Sequence, residues 1–314
     1  MSRIFVFPGQ GSQYVGMGKD LAENFAEARE IFEEVDESLS QNLSKIMFEG
    51  PEEDINLTEN TQPALMAVSM AVVRILEKQG GMKLADKCGF VAGHSLGEYS
   101  ALTAAGTFDI GTCARLLKLR GQAMQRAVPV GVGSMAAILG LDFADVQKIA
   151  SEVSGKEICE AANDNSVGQV VVSGHKSAVE AAVALASEQG AKRAVILPVS
   201  APFHCALMQP AAEEMRDALA DAVMNAPAVP VIANVTAQAE SDPETIRRLL
   251  VDQITGMVRW RESVIYMKEQ GVSEAIELGA GKVLCGLIRR IEGDITTEAA
   301  GTPGQIEALI AKLN

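Results

Sequence analysis

Positive charge is the first thing this sequence is short of. Its 314 residues carry 27 Lys and Arg against 41 Asp and Glu, a formal net charge of −14. A nucleic-acid binder needs a basic footprint, and adhesion to an anionic membrane surface needs clustered Lys and Arg; the balance argues against both. Long apolar runs are also missing. The longest uncharged stretches, Ala194–Ala212 and Ala222–Ala239, contain several prolines and polar residues, so neither reads as a membrane helix. The opening Met1-Ser2-Arg3-Ile4-Phe5-Val6-Phe7-Pro8 breaks at Pro8, too early for a signal peptide, and reads as a buried strand. Five cysteines (Cys88, Cys113, Cys159, Cys205, Cys285) form no CxxC pair and no zinc framework. Reduced thiols in the cytoplasm are the expectation, and the Asn-x-Ser/Thr triplets at Asn42, Asn56 and Asn234 then carry no meaning as glycosylation sites. Nucleotide signatures are incomplete. Gly9-Gln10-Gly11 has Tyr14 and Gly279-Ala280-Gly281 has Leu284 where a third glycine belongs, and there is no G-x-x-x-x-G-K-[ST]. Without an H-E-x-x-H, no catalytic metal is expected.

What is present is ample material for a core, at 48% hydrophobic and 22% charged residues. Short strand-like runs alternate with longer helical patterns, which predicts an α/β protein with a mostly parallel sheet. Ile4–Phe7 and Gly89–Ala92 read as buried strands. Thr61–Gln79 has apolar residues at helical spacing and is apolar nearly all round, so it reads as a buried helix. The middle differs in texture. Strand Met135–Leu139, helix Asp142–Val153, strands Ile158–Ala162 and Gln169–Ser173 joined by an Asn/Asp/Gly turn, helix Ser177–Glu188 and strand Ala194–Val199 follow in order. That βαββαβ order is ferredoxin-like. The expected division is a large domain of residues 1–126 and 200–314, with residues 127–199 inserted. A helix from Met208, strands near Val231 and Ala275 and a helix from Lys282 complete the large domain.

One segment carries chemistry. Gly93-His94-Ser95-Leu96-Gly97 is a G-x-S-x-G pentapeptide between a short apolar strand and a helix rich in small residues. In that setting the serine Oγ is pushed out of a sharp turn over the positive end of a helix, and the Leu96 N–H points where an oxyanion would form. A serine nucleophile needs a base, and only three histidines exist. His94 adjoins the nucleophile and reads as a pocket or packing residue; His175 reads as a surface or turn residue. His204, in the Pro-bearing loop where the chain returns from the insertion, is the candidate base, facing Ser95 across a domain junction. No Asp or Glu stands out as a third member. Arg120, on a helix between Gly111 and Arg126, reads from physics alone as a solvated arginine. The residues reach a serine-nucleophile acyl enzyme and leave hydrolase and transferase open.

Over essentially its whole length the chain resembles the malonyl-CoA:acyl carrier protein transacylases of type II fatty acid synthesis. The resemblance rests on Phe7-Pro8-Gly9-Gln10-Gly11-Ser12-Gln13, Thr61-Gln62-Pro63-Ala64-Leu65, Gly93-His94-Ser95-Leu96-Gly97-Glu98-Tyr99, Leu119-Arg120-Gly121, Gly133-Ser134-Met135-Ala136-Ala137, His204-Cys205-Ala206-Leu207-Met208, Val258-Arg259-Trp260 and Gly281-Lys282-Val283-Leu284. It implies a hydrolase-like large domain with a ferredoxin-like insertion. It implies Ser95 as the malonylated nucleophile, His204 as base and then acid, the Gln10 and Leu96 N–H groups as oxyanion hole, and Arg120 as the malonyl-carboxylate ligand. It implies the Gln253 backbone carbonyl as orienter of the histidine, and Gln62, His94 and Asn163 near the pocket. Malonyl-CoA is then a substrate, no cofactor is needed, and the partner is an acyl carrier protein, itself acidic, met by a monomer. Lys282, Arg289 and Arg290 are the candidate basic patch for it. Met257 and Ala280 depart from the family where prolines are common; Phe203 resembles malonyl-type rather than methylmalonyl-type enzymes. A serine thioesterase or esterase, a polyketide-pathway acyltransferase and a non-catalytic carrier-docking module are the alternatives.

Overall fold

The structure is a computed structural model describing residues 2–199 and 201–314. Met1 and the expected domain return at Ser200 lie outside the described residues. Among the described residues ten strands form two sheets. Their ranges are β1 (Arg3–Phe7), β2 (Phe90–Gly93), β3 (Gly133–Leu139), β4 (Cys159–Ser166), β5 (Gln169–His175), β6 (Arg193–Ile196), β7 (Val231–Ile232), β8 (Ala239–Glu240), β9 (Glu274–Leu278) and β10 (Thr296–Ala300). The first sheet has the order β10-β9-β1-β2-β7-β8, parallel throughout except for β8. The second has the order β4-β5-β3-β6 and is antiparallel. With helices Phe143–Val153 and Lys176–Glu188 it makes the βαββαβ unit.

Side-chain alternation builds the core from both sides of the parallel sheet. Ile4 and Val6 of β1 belong to one cluster with Trp260, Val264, Leu284 and Ile288. Phe5 and Phe7, one residue out of phase, belong to the larger cluster on the other face, which includes the apolar residues of helix Thr58–Gly80 from Ala64 to Leu76. That helix is buried nearly all round, as its composition predicts, and begins three residues before the expected Thr61. The second sheet also has two buried faces. Ala136, Ile138, Val170 and Val172 meet its own two helices, whereas Met135, Ala162 and Val171 join the large cluster together with Ala201 and Phe203. The inserted unit is thus packed onto the rest through apolar surface.

The β4–β5 hairpin differs from expectation. Asn163–Gly168 reads as a turn, yet β4 runs through Asn163, Asp164, Asn165 and Ser166, and the turn shrinks to Val167 and Gly168, the glycine at φ 68°. Partners elsewhere in the chain hold these polar residues extended. The Asp164 N–H donates to the Val258 carbonyl (3.0 Å), Arg261 Nε donates to the Asp164 carboxylate (2.8 Å), and Asn165 Oδ1 meets His94 Nε2 (2.8 Å). Tertiary contacts override the weak strand propensity of Asn and Asp, with register shifts in β4 where they do so. Sequence reading also missed the four helices between Lys19 and Asn56, the 14-residue Ala26–Leu39 among them, and β8, β10 and the terminal helix Pro303–Leu313. Strand β6 stops at Ile196, three residues before the expected end.

Candidate active site

The parallel strands β1 and β2 end side by side, and the site lies beyond their carboxyl ends, the usual ligand position in such sheets. Ser95 sits between β2 and helix Leu96–Ala104 at φ 54°, ψ −111°, a backbone state that costs on the order of 1–3 kcal/mol and persists only when its surroundings enforce it. The two glycines are what permit it. A Cβ on Gly93 would lie 1.9 Å from the Gly97 carbonyl, and one on Gly97 would lie 2.3 Å from the Phe7 carbonyl oxygen. Strand and helix therefore cross at backbone contact, and the serine is levered outward.

Ser95 Oγ lies 2.8 Å from His204 Nε2, and His204 Nδ1 lies 2.8 Å from the Gln253 carbonyl oxygen. A carbonyl can only accept, so Nδ1 carries the proton and Nε2 presents a lone pair to the serine hydroxyl. No carboxylate orients the imidazole. His204 is buried; burial first, and the Arg120 charge second, push its pKa down to about 3. It is the neutral, proton-accepting form that occupies the site at neutral pH. The Gln10 and Leu96 N–H groups, one after β1 and one opening the helix, have no acceptor among the described residues. Both are free to receive an oxyanion.

Arg120 overturns its reading as a solvated helix residue: only 1% of it is exposed. Its guanidinium donates to Gln62 Oε1 (2.7 Å), Gln253 Oε1 (2.8 Å) and Ser95 Oγ (3.1 Å), and lies 5.6 Å from the Tyr99 ring centre. Every hydrogen-bond acceptor it meets is neutral, and its Nε has none. A buried cation without a paired anion is costly, and an incoming carboxylate answers that cost through a charge-assisted bond. Ser95, His204, Arg120, Gln62, His94, Asn163 and Gln10 all line one cavity of about 570 Å³, walled on its apolar side by Met124, Met135 and Phe203. His94 is spent on Asn165 and packs against Trp260; burial lowers its pKa. His175 accepts the Ile158 N–H in the second sheet, away from the cavity. Among the described residues no group of three or more His, Cys, Asp or Glu stands together to hold a metal ion.

Sequence reading missed several residues in and behind the cavity. Asn234 is 1% exposed; its side chain accepts the Ser95 N–H (2.7 Å) and donates to the Gly93 carbonyl (2.7 Å), clamping the turn from behind. The glycosylation-type triplet was its only signal. Asn56 of a second triplet lines the cavity mouth beside Gln13, and Asn42 of the third caps helix Leu43–Glu49. Glu98, inside the quoted motif but given no role, is likewise buried.

The chain can be set against known proteins. The family described as acyl transferase domain matches residues 4–291. The malonyl CoA-acyl carrier protein transacylase of Escherichia coli (strain K12) is 47% identical over 306 residues, 98% of each chain. Among solved structures, the acyl-carrier-protein-S-malonyltransferase from Bartonella henselae superposes with a TM-score of 0.97 at 58% identity, covering 100% of this chain and 99% of that one. A malonyl-transacylase solved in complex with its type II PKS acyl-carrier protein superposes with a TM-score of 0.96 at 42% identity, covering 99% and 100%.

Proposed function

The chain belongs to the acyl transferase domain family, and from that premise we propose that it moves a malonyl group from malonyl-CoA to the phosphopantetheine thiol of an acyl carrier protein by way of a Ser95 ester. It is a transferase supplying the extender unit of fatty acid synthesis. The observation that carries the substrate assignment is Arg120, a buried cation without an anionic hydrogen-bond partner, 3.1 Å from the nucleophile oxygen. A hydrolase of simple acyl groups has no use for it; an acyl group ending in a carboxylate does.

The chemistry follows from the atoms in place. Ser95 Oγ attacks the thioester carbonyl while His204 Nε2 takes its proton. The negative oxygen is received by the Gln10 and Leu96 N–H groups. Collapse expels the coenzyme A thiolate, which takes the proton back from His204. The carrier thiol then gives its proton to the same nitrogen and attacks the ester, and Ser95 leaves with that proton. Gln62 and Gln253 hold Arg120, Arg120 holds the carboxylate, and the Gln253 carbonyl holds the imidazole. Coenzyme A enters and leaves as part of a substrate, and the chain's own side chains supply the catalytic groups.

The division into residues 1–126 with 200–314 and an insertion at 127–199 is supported by the second sheet, whose strands fall between Gly133 and Ile196. A cytoplasmic location fits five free, buried cysteines, and a monomer is proposed with it. Among the described residues no helix is long and apolar enough to cross a membrane. Carrier docking is placed on Lys282, Arg289 and Arg290, all exposed at helix Val283–Ile291. Gly281, which leads into that helix, lies against Ser12 of the loop that lines the cavity mouth.

The decisive variant is Arg120→Ala. Loss of the carboxylate ligand should lower kcat/KM for malonyl-CoA by roughly ten- to 150-fold, since a charge-assisted hydrogen bond contributes about 1.5–3 kcal/mol, and affect acetyl-CoA far less. Equal losses with both substrates would refute the assignment.

A further inference from the structure

Gln253 is asked to do two things, and its side chain can lie either way round. Its backbone carbonyl holds His204, and its side-chain oxygen holds Arg120. Rotated by 180°, the amide would present N–H groups to a guanidinium that has only N–H groups to offer, and the contact would be lost. Something must decide the orientation. The Gln253 Nε2 lies 2.8 Å from Glu98 Oε2 and 3.0 Å from the Ser95 carbonyl oxygen. Glu98 is 1% exposed, lies one turn into the helix behind the nucleophile and is not among the residues lining the cavity. Its Oε2 also accepts the Asn234 N–H at 2.9 Å, and the Asn234 side chain clamps the Ser95 N–H. Both donors converge on a single oxygen, so a proton on the other oxygen leaves the arrangement intact.

We propose that Glu98 is a positioning residue for acyl-group selection: its Oε2 fixes which way the Gln253 amide faces, and the amide oxygen so presented fixes the Arg120 guanidinium. The inference rests on the reading of Arg120 as the malonyl-carboxylate ligand. It adds a requirement that no cavity-lining residue reveals. An acceptor behind the nucleophile governs discrimination in front of it, through one amide. The same carboxylate steadies Asn234 and the serine turn, which both acyl substrates need equally. Selectivity and overall rate should therefore respond differently to its loss.

The test is the ratio of kcat/KM for malonyl-CoA to that for acetyl-CoA, with folding followed by circular dichroism. Glu98→Met, of similar volume but without the carboxylate acceptor, should reduce the ratio by about tenfold. Glu98→Gln, which keeps one oxygen acceptor, should recover most of it. Gln253→Met preserves the backbone carbonyl that holds His204 and should lower the ratio as Glu98→Met does; adding Glu98→Met to it should lower the ratio no further. A ratio unchanged in Glu98→Met, or a full additional loss in the double variant, overturns the proposal. Should Glu98→Met fail to fold, Gln253→Met decides alone: an unchanged ratio there removes the path. A wild-type enzyme without malonyl preference would instead fault the reading of Arg120, so the two failures are told apart.

Discussion

At neutral pH His204 is an uncharged base, and the cause lies in what surrounds it. Burial is the larger influence and Arg120 the second, and together they hold its pKa at about 3. Each disfavours the imidazolium. A carboxylate seated on Arg120 would cancel the second influence, so an acyl group that carries one would strengthen the base that takes the Ser95 proton. The pH profile of kcat/KM reads the free enzyme. Its acid limb is governed by the lowered His204 pKa and falls well below the range of an ordinary histidine. In Arg120→Ala one depressing charge is gone, the pKa rises, and the acid limb for acetyl-CoA should move to higher pH. A limb that stays in place or moves lower would contradict this coupling. The Ser95–His204 pair was legible because a pentapeptide and a short list of histidines narrow the choice. Burial of Arg120 was not: a lone arginine in an amphipathic helix pattern looks solvated until the turn of chain at Thr58 and Glu59 is placed on Gly121, where an added Cβ would lie 2.5 Å from the Glu59 Cα. Its role came from the resemblance. Asn234 and Glu98 were invisible for a related reason, since their partners are a backbone N–H and an amide more than a hundred positions away in the chain.

At the scale of elements, legibility follows how local the cause is. The serine turn is written in two glycines, each needed for a backbone contact within a few residues or with the neighbouring strand, and it was found. The long helix Thr58–Gly80 was found because its composition alone demands burial. The polar end of β4 was not. Asn163, Asp164 and Asn165 carry turn chemistry, and their extended state is imposed by Val258, Arg261 and His94. That segment is also what seats the inserted sheet beside the catalytic turn and brings Asn163 to the cavity. The place where local propensity fails is thus a functional seam, as expected where packing and chemistry share residues.

For the whole molecule, the net charge of −14 sets a problem that the fold answers locally. An acidic carrier and an anionic coenzyme A thioester must both approach an acidic enzyme. Among the described residues the fold buries one cation, Arg120, in the cavity, and three of its many exposed ones, Lys282, Arg289 and Arg290, stand on or next to a single helix. Local complementarity of this kind governs encounter more than final affinity and weakens with salt. Arg289→Glu should therefore raise KM for the carrier protein severalfold, more at low salt than at high, and leave KM for malonyl-CoA unchanged. An unaltered carrier KM would move the docking surface elsewhere.

What separates the proposed transferase from a hydrolase is a malonyl ester on Ser95 that a carrier thiol, rather than water, resolves. The direct measurement is intact-protein and peptide mass spectrometry after brief incubation with malonyl-CoA, with and without a carrier protein bearing phosphopantetheine. A malonyl adduct is expected on the Ser95 peptide, absent in Ser95→Ala, and passing to the carrier in step with its loss from the enzyme. An adduct that persists in Ser95→Ala, or one that decays to free malonate at the same rate whether or not the carrier is present, would contradict it.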